Sequence, residues 1–210
     1  GKLVYSGAWG GAFLSAVYDE TFNREDATTQ FGNLGIFLPD LPTRLQDGSN
    51  DAFALKAGFK LKDLITEGST LALEGHYAFD PTTYATIPGL ASAFSANTPG
   101  SVTNPTPGAV PLFLEWAVGA GYRQAVGDFT VAVSGQYGET FGTDFIVATP
   151  TGFGLANVEG EYYSLVGNVG YNFTSNFGAL AEVQYTDVDF GGDVGSVDQT
   201  KGFLRFVRTF

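Results

Sequence analysis

The chain is predicted to be all-β: an antiparallel transmembrane β-barrel with short periplasmic turns and long outer loops, about nine strands in one domain over residues 1–210. Three features predict it. First, apolar and polar residues alternate with a period of two. The runs are longer than the usual soluble strand of about 5–6 residues and suit a tilted membrane strand of about 9–11. Second, the connections between runs alternate between short and long, as in barrels with tight periplasmic turns and extended outer loops. Third, the chain closes on KGFLRFVRTF, where Leu204, Phe206 and Arg208 share one face, Arg205, Val207 and Thr209 share the other, and Phe210 ends the chain. An alternating strand that finishes on an aromatic residue suits the last strand of a barrel, with apolar side chains toward lipid and a ring at the interface.

The first stretch, Lys2–Glu20 (KLVYSGAWGGAFLSAVYDE), has two readings. Leu3, Tyr5 and Trp9 are odd-numbered, whereas Leu14, Ala16 and Tyr18 are even. Side-chain direction in a strand repeats every two residues, so a change of phase at Trp9-Gly10-Gly11 is what a tight hairpin produces. A bulge also flips the phase, and Phe13 and Val17 keep the odd parity. One long strand gives eight strands and a complete small barrel; a hairpin gives nine. Single-chain bacterial barrels have even strand numbers, so the hairpin implies an odd number of strands before Gly1.

The runs that follow are clearer. In Asp51–Lys62, Phe53, Leu55, Ala57, Phe59 and Leu61 oppose Lys56, Gly58, Lys60 and Lys62. Beyond the turn DLITEG, Ser69–Asp80 sets Leu71, Leu73, Tyr77 and Phe79 against Thr70, Glu74, His76 and Asp80. Leu112–Val126 sets Leu114, Trp116, Val118 and Tyr122 against Glu115 and Arg123. Phe129–Thr140 sets Phe129, Val131, Val133 and Tyr137 against Thr130, Ser134 and Gln136. Glu161–Thr174 and Phe177–Val188 continue the pattern, with Asn168 and Glu182 on their polar faces. Short turns fall at 63–68, 127–128 and 175–176, and long Gly/Pro/Asp-rich loops at 21–50, 81–111, 142–158 and 191–200. A β-sandwich alternates as well, but its apolar face meets a core and needs no aromatic banding. Here Phe53, Tyr77, Phe79, Tyr122, Tyr171, Phe173, Phe206 and Phe210 lie near strand ends and are expected to form the interface girdles of a barrel.

Composition narrows the class. Charged residues make up 15% of the chain, against roughly 25% in ordinary soluble domains. No apolar run reaches the length of a transmembrane helix. Acidic residues number 22 and basic residues 10, a net −12; nucleic acid, which calls for a basic footprint, is not an expected partner. That acidity leans toward cation passage, although much of it lies in loops. Cysteine is absent, which excludes a disulfide framework or a thiolate metal site. No signal peptide precedes Gly1, so the sequence reads as a mature chain or a fragment.

If one parity faces lipid, the other lines a water-filled interior. Parity places Lys2, Asp19, Lys56, Lys60, Glu74, His76, Glu115, Arg123, Glu182 and Arg205 on that inner wall. Lys56, Lys60, Arg123 and Arg205 are its basic part. Wall charges set ion selectivity in a channel. Catalytic, cofactor and metal sites are not expected. His76 is the only histidine, Ser69 and Ser134 carry no nucleophile motif, and Asp187, Asp189, Asp193 and Glu182 lack the regular spacing of a calcium loop.

The pieces SGAWGGAFLSAVYDE, DAFALKAGFKLKD with LALEGHYAF, AVGAGYRQAVGDFTVAVSGQYG and the closing KGFLRFVRTF resemble the C-terminal portion of the alphaproteobacterial porin family that includes the Brucella and rhizobial porins. The resemblance spans most of the chain outside the long loops. It implies part of a 16-stranded, homotrimeric porin in the bacterial outer membrane, with these nine strands as its eighth to sixteenth. It further implies passive diffusion of small hydrophilic solutes and ions, contact with outer-membrane lipid and lipopolysaccharide, and no cofactor. A basic inner wall would face an acidic constriction loop, which the family carries in its N-terminal half. The contrasting expectation is a complete eight-stranded barrel acting as a structural anchor or surface-binding protein.

Overall fold

A computed structural model describes residues 1–19, 52–85, 113–149, 152–192 and 194–209. The expected loop at 21–50, most of that at 81–111, Asp193 and the terminal Phe210 lie outside the described residues. The strands are β1 (Lys2–Gly7), β2 (Gly10–Asp19), β3 (Ala52–Lys62), β4 (Ser69–Ala78), β5 (Leu114–Val126), β6 (Phe129–Thr140), β7 (Thr143–Thr149), β8 (Gly152–Val158), β9 (Glu161–Thr174), β10 (Phe177–Asp189) and β11 (Ser196–Arg208). Nine of them form one sheet in the order β1-β2-β3-β4-β5-β6-β9-β10-β11, and β7 and β8 form a separate two-stranded sheet. Every pairing is antiparallel. The sheet is open, with β1 and β11 as its two edges. A 3-10 turn at Thr83–Ala85 is the only helical element among the described residues.

The phase change near Trp9 is a hairpin. Gly7 faces Gly10 across a two-residue loop, and Tyr5 faces Ala12. Gly10 has φ 140°, a conformation that side chains rarely adopt. A Cβ there would run into the backbone carbonyl of Lys60 on β3. Glycine therefore serves two needs at once: the turn geometry and the close approach of β3. The alternative reading of one continuous strand over residues 2–20 is set aside, and with it the count of eight.

Two other expectations are corrected. Residues 142–158, expected to be loop, contain β7 and β8 paired from Thr143↔Val158 to Thr149↔Gly152. Flanking Gly and Pro hid this hairpin, because each arm has only seven residues. The stretch 191–200 is also shorter as a loop than expected, since β11 begins at Ser196 and pairs to the end of β10.

At the short-turn end, local side chains fix the chain reversals. Asp63 takes a positive φ of 55°, a conformation that aspartate tolerates. Its Oδ1 accepts from Gly68 N at 2.7 Å, while Ser69 Oγ accepts from Ile65 N and Thr66 N. Gln124 of β5 ties down the same turn: its Oε1 accepts from Thr66 Oγ1 at 2.6 Å and its Nε2 donates to Glu67 O at 2.9 Å.

Register sorts the side chains into two faces across all nine strands. One row runs Tyr5, Ala12, Phe59, Leu73, Ala120, Gly135, Leu165, Tyr185, Thr200. The neighbouring row, on the opposite face, runs Ser6, Gly11, Lys60, Ala72, Gly121, Ser134, Val166, Gln184, Lys201. The first face is apolar and exposed: Leu73, Val118, Val131, Val133, Leu165, Val169, Val183 and Leu204 are all open to the surroundings. The buried cluster lies on the second face at its long-loop end. There Ala54, Ala78, Leu114, Ala117, Tyr162 and Val188 are covered by Ala85, Phe190, Phe141 and Val158 from the connecting segments. The connections thus fold in over one end of the second face and leave the first bare.

Candidate functional site

The second face carries the charges. Lys56 and Lys60 of β3, Glu74 and His76 of β4, Arg123 of β5, Glu182 of β10 and Arg205 of β11 all fall on it by register, as expected from parity. Lys2 lies there too, facing Ser15, with its ammonium 5.0 Å from the centre of the Phe13 ring. The Asp19 side chain lies outside the description. Parity also puts Lys62 and Lys201 on this face. They share parity with Lys60 and Arg205 respectively, and alternation alone finds them.

Contacts among these groups are few. Lys56 Nζ meets Glu74 Oε1 at 2.6 Å, with both side chains nearly half exposed. At such exposure, solvent screening leaves the pair worth little to stability. Glu182 Oε2 accepts from Asn168 Nδ2 at 3.4 Å, and Arg123 Nη2 reaches Thr130 Oγ1 at 3.5 Å. Lys62 and Arg123 flank Thr70 in one ladder row. Nearer the covered end a neutral network takes over. Tyr162 hydroxyl donates to Gln136 Oε1, Gln184 Nε2 donates to Ser164 Oγ and Thr186 Oγ1, and Thr140 Oγ1 accepts from Gly160 N at 2.8 Å. His76 faces Lys56 on one side and Ala117 on the other; its Nε2 is buried without a hydrogen-bond partner among the described residues.

Glu115 departs from the parity expectation. The β5–β6 register shifts between Leu114, which faces Thr140, and Trp116, which faces Glu139, so Glu115 is the extra residue of a bulge. Its carboxylate accepts from the hydroxyl of Tyr77, a residue of the apolar face, at 3.0 Å. A single inserted residue re-aims the side chain, and strict alternation cannot foresee it.

The aromatic residues of the apolar face fall mainly into two groups, while Phe13, Tyr162 and Phe203 lie on the charged face. Toward the short turns, Phe129 contacts Tyr171 at 4.5 Å between ring centres, Tyr171 contacts Phe173 at 5.0 Å, and Phe173 contacts Phe177 at 5.1 Å. Phe177 then stacks toward Phe206 at 6.4 Å. Toward the long loops, Phe53 meets Phe79, Phe79 meets Tyr77, Trp116 meets Tyr137, and Tyr163 meets Tyr185. This second group has polar tips with partners, such as Trp116 Nε1 donating to Glu139 Oε2 at 2.9 Å. Tyr122 joins neither group; its hydroxyl donates to Gln124 Oε1 at 2.7 Å beside the 63–68 turn.

Glu182 lies on the charged face, whereas Asp187 and Asp189 share the register of the apolar face, so these carboxylates do not converge. Among the described residues no group of three His, Cys, Asp or Glu side chains is arranged to hold a metal ion.

The geometry is that of a two-faced sheet: an apolar face with an aromatic band toward each end, and a charged face between short turns and inward-folded connections. A family model described as the porin subfamily matches residues 3–202. No curated protein and no solved structure matches the chain.

Proposed function

The chain belongs to the porin family, a family of channels and not of enzymes, and from that premise we propose that its nine-stranded sheet is part of the wall of a water-filled pore in a bacterial outer membrane. Small hydrophilic solutes and ions would cross it by passive diffusion, with no turnover and no cofactor. The single observation that carries this reading is the bare apolar face. Soluble monomers rarely expose contiguous apolar patches beyond a few hundred Å². Here the exposed Leu and Val side chains extend over the sheet between the two aromatic groups. Lipid satisfies such a face, and aromatic rings at both ends suit the two interfaces.

Membrane strands cannot end in an open edge, because unpaired backbone groups are costly in hydrocarbon. In this reading β1 and β11 are each paired to further strands, as in the 16-stranded homotrimer that the family resemblance implies. The short turns then face the periplasm, and the long connections face outward toward lipopolysaccharide. The wall residues would be Lys56, Lys60, Glu74, His76, Arg123, Glu182 and Arg205. Glu115 is left out of that set, and Phe53, Tyr77, Phe79, Tyr122, Tyr171, Phe173 and Phe206 would sit at the interfaces.

The test is electrical. Purified protein added to a planar lipid bilayer is expected to give stepwise conductance that rises in proportion to salt concentration, as a hydrated pore does. Membranes that stay silent across protein concentrations, with the protein shown to be inserted, would refute the channel and favour an anchoring role. The mass of the detergent-extracted assembly, expected to be three times that of one chain, tests the trimer.

A further inference from the structure

Within the channel reading, on which this step rests, we propose that the charged face is an anion-attracting lining in which Lys60, Lys62 and Arg123 set a preference for small anionic solutes over cations. The net charge of −12 points the other way, but the register distributes that charge unevenly. Among the described side chains of the charged face, Glu74 and Glu182 are the only carboxylates; Glu74 is paired with Lys56, whereas Glu182 accepts from the neutral Asn168 amide and keeps its charge. Lys60, Lys62, Lys201 and Arg205 have no carboxylate partner among the described residues, and Arg123 touches only the Thr130 hydroxyl.

The acidic residues of the strands sit elsewhere. Glu139, Glu161, Asp187, Asp189 and Asp198 share the register of the apolar face, close to the long loops. The sheet separates them from the charged face, and salt confines their field to about 10 Å at 0.1 M. A solute on the charged face therefore meets the field of the basic side chains first.

Lys62, Thr70 and Arg123 lie side by side on three adjacent strands, so the two cations are about 10 Å apart across the sheet, with Lys60 about 7 Å along β3 from Lys62. All three cations stand on the same face by register, with Lys62 and Arg123 on either side of Thr70. Basic side chains that line a pore favour anions. In water, a monovalent anion about 7 Å from one such cation is concentrated roughly 1.6-fold once screening is included. Three cations acting together give an enrichment on the order of fourfold.

The test is the reversal potential of the reconstituted full chain under a potassium chloride gradient. The sign expected is that of chloride, with a chloride-to-potassium permeability ratio several-fold above one. The variant carrying Lys60→Gln, Lys62→Gln and Arg123→Gln should still conduct but lose most of that ratio. Arg208→Gln, on the other face, should leave it unchanged. A conducting wild-type pore that prefers potassium, or a ratio insensitive to the triple change, would overturn the proposed preference while leaving the channel intact. A silent bilayer would remove the channel and the lining together, so the two failures are distinguishable.

Discussion

Replacing Val133 with arginine is expected to destabilise the membrane-inserted protein by about 2–4 kcal/mol, whereas arginine at the very next position, Ser134, is expected to cost less than about 1 kcal/mol. Val133 is 56% exposed on the apolar face, in the same row as Leu61, Leu71 and Val183. Ser134 is exposed on the charged face, opposite Gly121 and Val166. In water, both substitutions would be nearly silent, since each adds a solvated charge to an exposed site. In a bilayer only the second remains solvated. The measurement is urea-dependent unfolding from lipid vesicles, where a free-energy difference shifts the midpoint at constant slope. Equal midpoints for the two variants would mean that no hydrocarbon touches the Val133 face, and the two-solvent wall would fall with it.

That experiment probes the part of the structure that was most legible in the sequence. Most strands of the main sheet and the sorting of their side chains into two faces followed from alternation, because a sheet with one apolar and one polar face repeats its pattern at every second residue; the short β7–β8 hairpin did not show. Phe129–Thr140 and Glu161–Thr174 match β6 and β9 at both ends. The hairpin at Trp9 was legible as a change of phase, although a bulge predicts the same flip. What distinguishes them is the pairing of β1 back onto β2, with Gly7 against Gly10 and Tyr5 against Ala12, and a change of phase by itself does not encode that pairing. Glu115 shows the converse. There the register does shift by a bulge, and the alternation ran through it without a visible break, since Leu114 and Trp116 are both large and apolar.

The site was legible in its residues but not in its balance. Summed charge over the chain leans toward cation passage, but it does not say where the charges stand. Glu139, Glu161, Asp187, Asp189 and Asp198 of β6, β9, β10 and β11 share the register of the apolar face near the long loops, where Glu139 accepts from Trp116. Covering of the charged face by Ala85, Phe141, Val158 and Phe190 was also invisible beforehand. It depends on where the connections fold, and loop composition says only that they are loops.

Gly10→Ala is expected to cost about 3 kcal/mol, far more than a methyl group usually does. Two terms add. Alanine at φ 140° occupies backbone space that is almost reserved for glycine, at roughly 1–3 kcal/mol. The new Cβ also drives into the carbonyl of Lys60, so β2 and β3 must part near Leu61 and give up ladder hydrogen bonds worth about 0.5–1.5 kcal/mol each. Gly127→Ala separates the terms, because Gly127 has φ 58° but nothing within 4 Å of its would-be Cβ. Only the conformational cost applies there, about 1–2 kcal/mol. The same vesicle unfolding assay reads both. Similar losses would show that β3 can yield to the methyl group, and the hairpin would then rest on turn geometry alone. A clearly larger loss at Gly10 means that the contact with Lys60 fixes where β3 docks. Since Lys60 and Lys62 follow β3, that docking also sets where these two cations stand relative to Arg123.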